Sequence, residues 1–199
     1  MNVQKLINTI KLKEYNGLDT EKEYAELIDI YATEAEYGKK SVRKAPIIFG
    51  MSRDSLEACR QMLPLYEIML RRIKEMYEAF IVSPADSVKR DEFIRTFLAY
   101  DEVASLFADL MMEYAEGFAE ESFPELVGSP FLSAEEKDHG NPTDNLNKVF
   151  AVINIACKYM SDAVSKGDKP KLLTLAALLF GTSHDILMVL RKIKEPATE

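Results

Sequence analysis

Carboxylates three or four residues apart on a helix share a face and can hold a divalent cation between them. Glu23, Glu26 and Asp29 are spaced in this way, and so are Glu113 and Glu116. A second arrangement with chemical potential is the dipeptide His184-Asp185, an imidazole beside a carboxylate, a pair able to ligate a metal and activate water. Nucleophilic catalysis has less material. The chain has only two histidines, so a Ser–His or Cys–His pair must use His139 or His184, and no strand–turn–helix elbow is present to mount a nucleophile. Gly50, Gly128 and Gly140 stand alone and form no phosphate-cradling loop.

The paired acids resemble those of the helical NTP pyrophosphohydrolases of the MazG and all-α dUTPase type, which hold magnesium through carboxylates on two helices. The resemblance implies a metal at Glu23, Glu26, Glu113 and Glu116 and a nucleotide substrate. His184-Asp185 is similar to the metal-binding dipeptide of HD-type phosphohydrolases. His139 could serve as their earlier histidine, but no Asp follows Asp185, so that set is incomplete. Di-iron bundles need Glu-x-x-His twice, and only Glu136 to His139 supplies it, beside Gly140-Asn141-Pro142. Neither histidine is preceded by the arginine of the helical RNases. Solvated surface charge is the preferred reading of the paired carboxylates, and a hydrogen bond at the bend around Gly181, or exposure, that of His184; Glu23 also has a structural use in a capping box with Thr20. The sequence therefore assigns no catalytic residue, metal or cofactor.

Charge placement says more. Formal net charge is −8. Between Asp101 and Asn145 lie twelve acids and one lysine, a net −11 that leaves +3 for the remainder. Such a face is either solvated or a docking surface, and Glu113, Glu116, Glu120 and Glu121 are its centre. One basic run, Lys39, Lys40, Arg43 and Lys44, precedes the apolar Ile48 and Phe49. A favourable interaction with a helix C-terminus accounts for it, and the acidic total argues against nucleic acid. A long connection from Glu121 to Thr143 carries Phe123, Leu126, Phe131 and Leu132 between prolines and glycines. Apolar residues in a loop of that length point to docking, on the chain itself or on another.

The positioning elements follow from hydrophobic rhythm. Val3, Leu6, Ile7 and Ile10 mark a first helix, ended at Tyr15-Asn16-Gly17; Tyr24, Leu27, Ile28 and Tyr31 mark a second, ended by Gly38. A third, from near Ser52, runs Leu56, Cys59, Leu63, Tyr66, Leu70, Ile73, Tyr77, Phe80, with Pro64 expected to kink it. After Ser83-Pro84, read as cap and first turn, a fourth runs Phe93, Phe97, Tyr100, Ala104, Phe107, Met111, Tyr114, Phe118. Leu146, Phe150, Ile153, Cys157, Met160 and Val164 give a fifth, stopped by Gly167, and Asp168-Pro170 open a sixth, expected to be the most enclosed. Ala45 to Met51 is the one possible strand.

The fold expectation is all-α: a bundle of four long antiparallel helices in two hairpins, plus two shorter N-terminal helices, in a single domain over 1–199. Its parts are an N-terminal helix pair (1–38), a long hairpin (52–121), a long loop (122–143) and a C-terminal hairpin (144–195). No signal-peptide core opens the chain, and the apolar stretch Leu172 to Gly181 is too short to span a bilayer. Two cysteines on apolar stripes suit a reducing compartment, so a cytoplasmic protein without membrane attachment is expected. The function expected is a non-enzymatic binding or assembly module, with a protein partner or self-association. The alternatives are a metal-dependent nucleotide phosphohydrolase and an acidic inhibitor of a nucleic-acid-binding protein.

Overall fold

The computed structural model describes residues 3–37, 52, 54–115 and 140–194. Its regular structure is wholly helical: α1 (Val3–Tyr15), α2 (Glu21–Tyr37), α3 (Ser55–Val82), α4 (Ser87–Ala115), α5 (Pro142–Lys166) and α6 (Lys169–Lys194). No strand occurs among the described residues, and the all-α expectation holds. The segment Ala45 to Met51 lies outside them. No described helix is long and apolar enough to cross a membrane. The chain divides into two compact units, Met1–Phe107 and Ala108–Glu199, with the boundary inside α4.

In the first unit, α1 and α2 bury the stripes read from the sequence: Val3, Leu6, Ile7 and Ile10 on one, Tyr24, Leu27, Ile28 and Tyr31 on the other. Gly17 takes a left-handed backbone (φ 64°) that turns the chain between them. α3 and the first part of α4 run antiparallel and meet through rings. Tyr66 packs on Tyr100 and Phe107 at 5.8 and 5.5 Å between centroids, and Phe93 on Tyr77 and Phe80 at 5.7 and 5.2 Å. The Tyr66 and Tyr100 hydroxyls hydrogen-bond to each other at 3.2 Å, which satisfies both in a buried place. α3 continues through Pro64.

The second unit joins α5 to α6. Gly167 ends α5 in the left-handed region (φ 62°, ψ 37°), and its N–H donates to Ala163 O. The two helices pack against each other, and each buries small residues, Ala156 and Ala163 on α5 and Ala176 and Ala177 on α6.

Helix starts differ from expectation in instructive ways. α3 begins at Ser55, because Asp54 rather than Ser52 accepts the Glu57 N–H at 2.8 Å. Ser83 closes α3, and α4 starts at Ser87 under Asp86, whose carboxylate accepts the Val88 and Lys89 N–H groups. Asn141 caps α5 through the Thr143 N–H, with Pro142 at the first position. α6 is not enclosed all round, since Leu173, Leu178 and Phe180 stay half-buried. Half of the described side chains of α6 are nevertheless buried, a larger share than in α3, which buries Leu65 and Ile68 beyond the predicted stripe while Leu56 and Leu63 on that stripe stay half-buried.

Candidate functional site

The carboxylates with metal-binding spacing serve separate ends. Glu23 takes Lys13 Nζ at 2.7 Å, and this hydrogen bond holds its carboxyl below the usual carboxylate range. The capping box with Thr20 is not formed; Asp19 accepts the Glu21 N–H instead. Glu26 is half-buried on α2 and Glu113 is exposed on α4. Glu116 and the His184 side chain lie outside the described residues. Asp185 is fully buried in the second unit. Among the described residues, no group of three or more His, Cys, Asp or Glu could hold a metal ion.

A charged network instead fastens α1 and α2 to α3. Arg72, only 6% exposed, donates to both oxygens of Glu21 (3.0 and 2.6 Å) and to Glu75 (3.2 Å), while its guanidinium lies 5.1 Å above the Tyr24 ring. Burial opposes the charge, but the hydrogen bonds and charges of Glu21 and Glu75 outweigh it and leave the Arg72 pKa raised. Glu14 accepts from the Tyr24 hydroxyl at 2.7 Å and pairs with Arg71 at 3.1 Å. Burial first, and that bond second, push the Tyr24 phenol far above its ordinary value. Beside the network is an open cleft of about 120 Å³ lined by Glu21, Ala25, Arg72, Glu92, Arg95 and Thr96, among others. Its arginines are engaged by carboxylates, Arg72 by Glu21 and Arg95 by Asp29.

A further feature is the outer face of α5. The inner face buries Leu146, Val149, Phe150, Ile153, Met160 and Val164. Across the helix, Ile155 (56% exposed) and Tyr159 (50%) lie one turn apart, with exposed Ala151 one turn before them. Lys148 and Lys158 flank this strip, and no acid occurs from Asn145 to Ser161. Farther along the helix, Asp162 takes Lys166 at 2.6 Å and Lys171 at 3.4 Å. The Lys166 hydrogen bond, then that of Lys171, lowers the Asp162 pKa. Caps at both ends hold α5 fixed beneath the strip.

Sequence reasoning followed one apolar stripe per helix and missed this second one. The signal was present as Ala151, Ile155 and Tyr159, four residues apart and off the seam. Cys157, placed on the seam, is half-buried rather than buried. The predicted interaction residues Lys39, Lys40, Arg43, Lys44, Ile48, Phe49, Glu120, Glu121, Phe123, Leu126, Phe131 and Leu132 lie outside the described residues. No family model, curated protein or solved structure matches this chain.

Proposed function

We propose that the chain is a non-enzymatic binding module that docks another helix on the outer face of α5. The observation that carries this reading is the exposed Ala151–Ile155–Tyr159 strip on a helix already capped and packed through its opposite side. Such an arrangement presents apolar area to a docking surface. A helix is the natural occupant, because a strip with four-residue spacing matches the ridge of a second helix. The magnesium phosphohydrolase reading has less support: Lys13 already holds the Glu23 carboxylate that it needs.

A photo-crosslinking side chain placed at position 155 of the full chain tests the reading in the producing cell. A discrete adduct is expected, lost when Tyr159→Asp is added and absent when the crosslinker is placed at exposed Glu67. The reading fails if position 155 gives no adduct beyond that control.

A further inference from the structure

A two-fold symmetric contact requires a surface complementary to itself, in which residue i meets j′ and j meets i′. The outer face of α5 satisfies this requirement. Asp144, Lys148, Ala151, Ile155, Tyr159, Asp162 and Lys166 follow spacings of three and four, which set them along one side of the helix. Asp144, Lys148, Ala151, Ile155, Tyr159 and Lys166 are exposed, and Asp162 is half-exposed.

Let a second copy lie antiparallel across this side with the two-fold axis at Ile155. Asp144 then faces Lys166 of the other copy, and Lys148 faces Asp162. Ala151 faces Tyr159, a small side chain opposite a large one, and Ile155 meets its own equivalent. Each charge meets its opposite, each Tyr159 meets a small side chain, and the two Ile155 side chains meet at the axis. A parallel arrangement would set Lys148 against Lys148 and Asp162 against Asp162. From this we infer that the chain forms a symmetric antiparallel homodimer through the outer face of α5. The inference rests on the docking reading above and names its occupant as a second copy.

The face also sets the strength. One helix pair in contact along one side covers less than the ~1,200–2,000 Å² of stable interfaces. The dimer is therefore weak and exchanging, and its four exposed ion pairs make it sensitive to salt.

Sedimentation of the full chain over a concentration series, at low and high salt, tests this directly. Wild type is expected to dimerise reversibly, less so at high salt. Lys148→Glu alone and Asp162→Lys alone each place like charges at two contacts per dimer, and each is expected to weaken dimerisation about tenfold. The double variant K148E/D162K restores opposite charges and is expected to recover the dimer. Helical circular dichroism verifies that the variants fold, since Asp162→Lys also removes the contacts to Lys166 and Lys171. A wild type that stays monomeric to about millimolar concentration, well beyond the range of weak complexes, overturns the inference. So does a folded double variant no better than the single ones. A monomeric wild type that still gives a hetero-adduct at position 155 ends the self-pairing proposal and keeps the binding module, whereas no adduct ends both.

Discussion

Arg72 is a cation in a place where long charged side chains seldom go without partners. Its guanidinium lies over the Tyr24 ring, and its N–H groups join α2 to α3 through Glu21. Glu21 itself is 65% exposed, so solvent screens the pair and its worth lies below that of a fully buried ion pair. Arg72→Ala is accordingly expected to lower unfolding free energy by about 2–3 kcal/mol, from lost packing and lost charge-assisted bonds. Urea titration measures it, and an unchanged midpoint would show the network to be ornamental. Glu23 makes a pH-dependent contribution. Its folded pKa is depressed by Lys13, so the stabilisation is present above the ordinary carboxylate range and is lost as pH falls through the folded value. Glu23→Gln should therefore flatten the acid side of the stability profile, below about pH 4.5, and leave the alkaline side unchanged. Thermal melts across that range supply the comparison.

At the scale of the helix, Gly167 gives the cleanest prediction. A side chain at φ 62° is strained, so Gly167→Ala is expected to cost about 1–2 kcal/mol, read from the shift in a denaturant midpoint. The sequence makes this terminator legible, as it does the stripes of α1, α2 and α4, because burial selects apolar residues at a fixed period. Helix starts were less legible. Serine, aspartate and asparagine compete to cap the same few turns, and the winner depends on where the preceding chain arrives: Asp54 prevailed over Ser52, and Asp86 over Ser83. The burial of Leu65 and Ile68 on α3 was hidden for another reason, since both lie off its predicted seam. The outer strip of α5 was visible but unread. Three apolar residues among polar ones resemble ordinary surface until their common face and matching charges are set side by side.

Across the whole molecule, the two compact units each hold one cysteine: Cys59, fully buried, in the first, and Cys157, half-buried, in the second. Both remain thiols. A bulky thiol reagent should therefore modify Cys157 in the native protein, while Cys59 should react only as fast as the first unit opens. Mass spectrometry of the two peptides during labelling separates the rates, and equal rates would contradict the burial of Cys59. The acidic stretch from Asp101 to Asn145 gives the molecule its overall sign, yet the outer face of α5, which starts within that stretch at Asp144, carries both signs in equal number. The ring-lined seam between α3 and α4 also has an optical consequence. The chain contains no tryptophan, so its near-ultraviolet signal comes from tyrosine and phenylalanine alone. Chromophores fixed 5.2–5.8 Å apart in a chiral stack couple electronically. That coupling gives this seam an intrinsic spectroscopic signature, by which its separation can be followed without any attached dye.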